Sequence, residues 1–146
     1  MKKILLSIFI IILFGNCKKD DAIQSGCVSV LLPNYSFDTG NAINTSLPLY
    51  GGLDFVGNSL YISGYSVRGF YLYNSGSSIV AFEASDPAHG PNSCSLMTLS
   101  GIELTCQCDD GNKYELLTGQ QTFGTTGNCL KAYRVEKSGN IIRVFN

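Results

Sequence analysis

Short runs of β-branched and aromatic residues, each bounded by a turn that contains glycine, are the feature that most limits what this chain can fold into. Residues 58–64, 69–73 and 78–82 are such runs, and Asn74 to Gly76 separate the second from the third. Two runs joined in this way predict a β-hairpin. Glycine and β-branched residues interrupt every window that would otherwise suit a long amphipathic helix. The pattern therefore predicts a fold built from short strands.

Two further hairpins are predicted in the C-terminal half of the chain. Residues 96–106 carry Gly101 near their middle, and residues 133–145 carry Gly139 between two apolar stretches. Within residues 133–136 apolar and charged side chains alternate, which indicates a strand with one buried and one solvated face. Many short strands at this spacing are typical of a small antiparallel β-sandwich or barrel. We therefore predict an all-β fold.

The first residues of the chain have the parts of an export signal. Lys2 and Lys3 precede an apolar run over residues 4–14. That run is shorter than the roughly 20 residues that span a bilayer and has the length of a signal-peptide core. We predict three segments, which are a signal peptide at residues 1–16, a polar tether at residues 17–26 and one domain at residues 27–146.

Residues 12–17 resemble the bacterial lipobox, in which small residues precede a cysteine that is acylated and becomes the new N-terminus. Phe14 and Asn16 depart from its strict pattern. Residues 17–21 resemble the export tag with which some Gram-negative bacteria send lipoproteins to the outer face of the outer membrane. The resemblance implies an outer-membrane lipoprotein anchored through Cys17 and exposed at the cell surface, with a periplasm-facing protein as the alternative. The alternative to a lipoprotein is an ordinary secretory signal with an unmodified Cys17.

The charge balance of the chain limits its partners. The formal net charge is -1 and 14% of residues are charged, which gives no electrostatic reason to expect nucleic acid. A mature chain of roughly 130 residues buries about two-thirds of its unfolded surface, so no metal is needed for folding. We expect a membrane, through the lipid anchor, and an unidentified protein as partners.

The sequence resembles a Rieske [2Fe-2S] domain, and the motifs that carry the resemblance lie beyond residue 80. Residues 81–89, 94, 106–109, 114–119 and 130–135 follow the order and spacing of the strands and cluster loops of that family. The likeness covers residues 53–146 and extends to short Rieske-fold lipoproteins of bacteria that use the same export tag. It implies a small Rieske-like antiparallel β-sandwich or barrel with short hairpins and a subdomain that carries two cluster loops.

The same resemblance identifies four positions where the cluster ligands would lie. A Rieske cluster is held by two cysteine thiolates and two histidine imidazoles, and the four positions here carry Asp86, Ala88, Cys106 and Asp109. Cys106 alone has the required type, because alanine has no donor and carboxylates are hard ligands. The resemblance therefore implies a fold retained without its cofactor. We expect no cofactor and no metal, and a [2Fe-2S] electron-transfer protein is the alternative.

The chain has a single histidine, His89, one position beyond a ligand position. A shifted alignment recruits it but then puts Pro87 where a cysteine is needed. We expect His89 to be a solvent-exposed loop residue. A separate metal site built from Asp86, His89, Asp109 and Asp110 is the less favoured alternative, although carboxylates with one imidazole suit hard or borderline cations.

Export makes disulfides the expected state of the cysteines that follow the lipidation site. In many Rieske domains the non-ligand cysteines of the two loops pair, and the resemblance implies such a bridge between Cys94 and Cys108. A bridge between Cys27 and Cys129 is a second expectation, which leaves Cys106 free. A loop bridge in which Cys94 pairs with Cys106 in place of Cys108 is the alternative.

Neither a catalytic triad nor a pair of carboxylates occurs in a context that favours catalysis, and a single loop histidine offers little for nucleophilic chemistry. We therefore expect a non-catalytic binding or structural module. Tyr61, Tyr71 and Tyr73 are candidates for a contact surface, although strand alternation sends half of such residues to the core.

Overall fold

The computed structural model describes residues 31–124 and 127–146. The predicted signal peptide, Cys17, the tether and Cys27 lie outside these residues. Within the described ranges no helix has the length and apolar character that crossing a membrane requires. The elements, in chain order, are β1 (Ile43–Asn44), a 3-10 helix (Gly51–Asp54), β2 (Ser59–Ile62), β3 (Phe70–Asn74), β4 (Ile79–Glu83), β5 (Thr98–Ser100), β6 (Glu103–Thr105), β7 (Lys113–Glu115), β8 (Gln121–Phe123), β9 (Ala132–Ser138) and β10 (Ile141–Phe145).

The strands form two antiparallel sheets. The larger sheet has the order β1-β10-β9-β4-β3-β2, and the smaller one has the order β5-β6-β7-β8. The four strands of the smaller sheet are inserted in the chain between β4 and β9, which pair with each other in the larger sheet. The prediction of an all-β antiparallel fold is confirmed.

The three predicted hairpins are present. β3 pairs with β4 across the turn at Gly76, β5 with β6 across Gly101, and β9 with β10 across Gly139. At Gly101 the φ angle is 62° and at Gly139 it is 57°, a left-handed region in which a side chain is strained. These turns are therefore encoded locally in the sequence.

The core is divided between the two sheets, and β3 contributes to both halves. Phe70 and Leu72 lie on one face of β3 in a cluster with Ile43, Ile142 and other residues of the larger sheet. Tyr71 lies on the opposite face and packs against residues of the smaller sheet and its loops. The members of this second cluster are Tyr71, Phe82, Ala84, Met97, Leu104, Cys106, Tyr114, Leu116 and Leu130.

The three tyrosines considered for a contact surface have different environments. Tyr71 is buried, and its hydroxyl donates a hydrogen bond to the Met97 carbonyl at 2.9 Å. Tyr73 is partly buried against the same cluster, whereas Tyr61 keeps 39% of its surface exposed. Tyr71 is therefore a core residue that joins the two sheets.

The segment before β1 is held to the last strand by an ion pair. Arg143 donates from Nε to both carboxylate oxygens of Asp38, at 2.9 and 3.1 Å. These hydrogen bonds, with one from the Gly40 amide, lower the pKa of Asp38 to about 2. The pair is solvent-exposed, so its effect is best seen in the titration of Asp38.

Replacing Arg143 with Met is expected to raise the pKa of Asp38 toward the ordinary value of about 4. The folded-state pKa lies below the unfolded one, so this carboxylate stabilises the fold above about pH 4 and less as the pH falls toward 2. NMR titration of the Asp38 carboxyl measures the change. The control is Arg68→Met, because the Arg68 guanidinium contacts the Ser93 carbonyl. An Asp38 pKa that stays at about 2 in Arg143→Met would contradict the prediction.

Candidate functional site

Two loops meet beside the smaller sheet, and they contain all four positions that the sequence resemblance singled out. The first loop covers residues 84–97, between β4 and β5, and the second covers residues 106–112, between β6 and β7. The Gln107 amide donates to the Cys94 carbonyl at 3.2 Å, which brings the two backbones into direct contact. The first loop also folds on itself, since the Asp86 amide donates to the Ser95 carbonyl at 2.8 Å.

A disulfide between Cys94 and Cys108 joins the two loops, with a Cα–Cα separation of 4.9 Å. This is the pair that the resemblance implied. Closing a loop of about 15 residues is worth roughly 3 kcal/mol in the chain-entropy model. Among the described residues Cys106 is the free cysteine, and it is buried. Cys129 is disulfide-bonded, but Cys27 lies outside the described residues, so their pairing stays a prediction.

Asp86 lies at the centre of the contact between the loops, with no exposed surface. Its Oδ1 accepts hydrogen bonds from the Tyr114 hydroxyl at 2.7 Å and the Ala88 amide at 2.8 Å. Its Oδ2 accepts one from the Asn112 side-chain amide at 3.1 Å. Burial, followed by the hydrogen bond to Asp86, raises the pKa of Tyr114. The carboxylate therefore ties the first loop to the second and to β7.

His89 is half-buried, and the prediction of a solvent-exposed loop residue is therefore wrong. Its Nε2 lies 2.8 Å from Oδ2 of Asp110 and 3.8 Å from Oδ2 of Asp86. The contact arises because the Cys94–Cys108 bridge holds the second loop against the first. From the sequence alone, Asp86 is a recognisable neighbour of His89 because it lies three residues away. Asp110 is not, because it lies on the second loop.

The Asn112 side-chain amide bridges the two carboxylates that face His89. Its Nδ2 donates to Oδ2 of Asp110 at 2.6 Å as well as to Oδ2 of Asp86. Its own Oδ1 accepts a hydrogen bond from Gln121 Nε2 of β8 at 3.2 Å. Asn112 is buried, so both carboxylates are oriented by a side chain that is itself fixed.

Cys106 lies on the same side of the group. The Cys108 amide N–H approaches its Sγ at 3.4 Å. Burial, and then a hydrogen bond with Asp86, raises the pKa of Cys106 to about 12. The thiol is therefore protonated at neutral pH and is not an activated nucleophile, since the thiolate is the reactive form.

One donor atom each from Asp86, His89, Cys106 and Asp110 can be chosen so that all four lie within 4.8 Å of one another. Two of the four residues, Asp86 and Cys106, occupy predicted cluster-ligand positions. The other two such positions lie outside the group: Asp109 is not among its donors, and Ala88 contributes its backbone amide to Asp86.

The metal-site alternative of the sequence analysis included three members of this group but took Asp109 in place of Cys106. The turn of the second loop, closed by a hydrogen bond from the Gly111 amide to the Cys108 carbonyl, decides which of the two neighbouring aspartates faces His89. The spacing of Cys106 from the aspartates was visible in the sequence, but the direction of each side chain was not.

Solved structures similar to this chain include the following two. One is a chain from the complex of reduced oxygenase and oxidized ferredoxin in carbazole 1,9a-dioxygenase, with 22% identity, a TM-score of 0.46, and coverage of 64% of this chain and 86% of that one. The other bears the provisional name of the small subunit of a nitrite reductase (NADPH), with 22% identity, a TM-score of 0.35, and coverage of 64% and 92%. No protein-family model and no curated protein sequence matches the chain.

Proposed function

We propose that this chain is a non-catalytic, Rieske-like lipoprotein that holds no [2Fe-2S] cluster and serves as a binding or structural module at a membrane surface. One observation carries the proposal. Asp86, at the position that the sequence resemblance assigns to a cluster thiolate, is buried and engaged by Tyr114, Asn112 and the Ala88 amide. A hydrogen-bonded carboxylate at that position supports a fold that holds no cluster.

The remaining donors also fit the cluster poorly. Two thiolates and two imidazoles are required, whereas the described residues of the two loops supply one free thiol, Cys106, and one imidazole, His89. Cys94 and Cys108 are bonded to each other and are not available as thiolates. Ala88 and the exposed Asp109 bring neither sulfur nor nitrogen donors to the site.

The disulfide supplies a reason for the loops to stay ordered without a cluster. It joins the loops covalently, and Asp86 and Asn112 join them by hydrogen bonds. A pair of loops cross-linked in this way suits recognition of a partner. A non-catalytic role is further supported by the burial of Cys106, the free cysteine of the two loops, because a reactive cysteine is partly exposed.

The membrane location rests on the leader and on Cys17. Two or three acyl chains, each contributing about 0.8 kcal/mol per buried CH₂, anchor a protein firmly where one chain does not. Incorporation of labelled palmitate that is lost in Cys17→Ser tests the anchor. Protease treatment of intact cells tests display on the outer face, and full protection would favour a protein that faces the periplasm.

Metal and sulfide analysis tests the cofactor part of the proposal. The full chain, purified from cells competent in cluster assembly, is expected to lack stoichiometric iron and acid-labile sulfide, visible absorption, and an EPR signal after reduction. Iron and sulfide in stoichiometric amounts would replace this proposal with a [2Fe-2S] electron-transfer function.

A further inference from the structure

We propose that Asp86, His89, Cys106 and Asp110 form a binding site for a single divalent transition-metal ion, with zinc as the best match. The inference rests on the proposed function in one respect, which is that no [2Fe-2S] cluster lies between the two loops. It goes beyond that function because it assigns a ligand to residues of which two, His89 and Asp110, do not occupy cluster-ligand positions.

The geometry of the group is close to what zinc needs. Zinc in proteins is usually four-coordinate, with bonds of about 2.0–2.3 Å to nitrogen, oxygen and sulfur, so its ligand atoms lie about 3.3–3.8 Å apart. Nε2 of His89 is 3.8 Å from Oδ2 of Asp86, and the four donor atoms lie within 4.8 Å of one another. Small side-chain rotations therefore bring all four to a common ion.

The chemistry of the donors selects the class of metal. Calcium and magnesium are held by oxygen ligands, whereas this group supplies one sulfur and one imidazole nitrogen beside two carboxylates. Such a mixed set suits a borderline divalent ion. A bound dication would release the thiol proton of Cys106 to solvent and offset two of the three negative charges of the thiolate and the two carboxylates.

The surroundings of the group resemble the outer shell of a metal site. The Asn112 amide orients both carboxylates, the Tyr114 hydroxyl holds Asp86, and the Cys108 amide points at the sulfur of Cys106. Partners of this kind fix ligand orientation and tune affinity. The Cys94–Cys108 bridge fixes the spacing of the two loops before any ion binds.

The group is also accessible. Asp110 and Asn112 line an open cavity of about 450 Å³ next to β8, and His89 keeps 27% of its side-chain surface exposed. An ion can therefore reach His89 and Asp110 from solvent, and the buried donors Asp86 and Cys106 lie directly behind them.

The test is titration of the chelator-treated full chain, in detergent and with its disulfides intact, with Co²⁺ and then Zn²⁺. Binding of one Co²⁺ per chain should produce visible bands of a four-coordinate ion and a near-ultraviolet charge-transfer band from thiolate sulfur. Zn²⁺ should displace the cobalt and abolish both signals. Absence of these bands, with no zinc bound at equilibrium, would overturn the inference and leave the proposed function intact.

Variants identify the ligands. His89→Asn and Asp110→Asn should each weaken Co²⁺ binding by about 100-fold or more, because loss of an outer-shell partner alone costs about 10- to 100-fold. Cys106→Ser should in addition remove the charge-transfer band. The matched control is Asp109→Asn, which removes the same charge one residue away and should leave the affinity unchanged.

Equal affinities of Asp110→Asn and Asp109→Asn would contradict the assignment. Circular dichroism and the intact Cys94–Cys108 bridge establish that each variant is folded. Iron together with sulfide in the native chain would overturn both the site and the proposed function. Failure of the cobalt and zinc titration would overturn the site alone, so the two failures are distinguishable.

Discussion

Replacing Glu83 with Ala is expected to lower the free energy of unfolding by about 4 kcal/mol, the largest effect that we predict for a single substitution. Glu83 is the last residue of β4 and has no exposed surface. Its Oε1 accepts from the amides of Arg68 and Ser85, both at 3.0 Å. Its Oε2 accepts from the Val67 amide at 3.1 Å and the Tyr133 hydroxyl at 2.6 Å.

The size of the effect follows from what the substitution leaves behind. Alanine removes the acceptor and leaves the backbone amides of Val67, Arg68 and Ser85 and the Tyr133 hydroxyl without the carboxylate to which they donate. A buried donor without a partner costs about 1–3 kcal/mol, and part of this cost is recovered by relaxation or water. The Glu83 carboxylate also fixes the turn before β3 and the pairing of β4 with β9, so the loss extends beyond one contact.

Urea denaturation of the full chain with its disulfides intact measures the change as a shift of the midpoint at unchanged slope. Tyr133→Phe is the matched variant, because it removes one donor and leaves the carboxylate with its three amide partners. We expect a cost of about 1 kcal/mol for it. If Glu83→Ala does not fold, Tyr133→Phe still measures one bond of the group. A cost below about 1 kcal/mol for Glu83→Ala would show that the buried carboxylate is not needed.

Replacing Asp86 with Ala is expected to lower the free energy of unfolding by about 3 kcal/mol. The substitution leaves the Tyr114 hydroxyl, the Asn112 side-chain amide and the Ala88 backbone amide without their acceptor in the contact between the loops. The expected cost is smaller than at Glu83 because Asn112 keeps its hydrogen bond to Asp110, and because the Cys94–Cys108 bridge still joins the loops.

A double-mutant cycle with Tyr114→Phe isolates the central hydrogen bond. In the double variant no hydroxyl is left without a partner, so its cost should be smaller than the sum of the single costs by about 1–2 kcal/mol. Asp109→Ala is the control, since Asp109 is exposed, and should change stability by less than about 0.5 kcal/mol. Additive effects of Asp86→Ala and Tyr114→Phe would contradict a direct coupling.

The elements of the fold were largely predictable because the signals that specify them are local. Gly101 and Gly139 adopt left-handed conformations at hairpin turns, a conformation that glycine reaches without strain. Alternation in β9 correctly predicted that Tyr133 is buried and Arg134 exposed. Alternation of apolar and polar residues does not predict the burial of β3, whose residues are buried on both faces. Its second face is buried because it packs against the inserted smaller sheet and its loops.

The candidate site was predictable only in part. The two loops and their cysteines could be recognised from order and spacing, but the environment of each side chain could not. His89 is held by Asp110, which lies twenty-one positions further along the chain. Which of two adjacent aspartates faces the histidine depends on how the second loop lies against the first, and that contact joins segments far apart in the chain.

By itself the sequence determined the short strands, the glycine turns, the absence of a long amphipathic helix from residues 31–124 and 127–146, and the types of donor available to the two loops. These properties depend on residue type and on neighbours within a few positions. The tertiary structure decided which donors come together: it buried Glu83 and Asp86 among hydrogen-bond donors and placed Cys106 beside His89 and Asp110. The physical reason is that burial and orientation arise from contacts between segments far apart in the chain, fixed here by sheet pairing and by one disulfide.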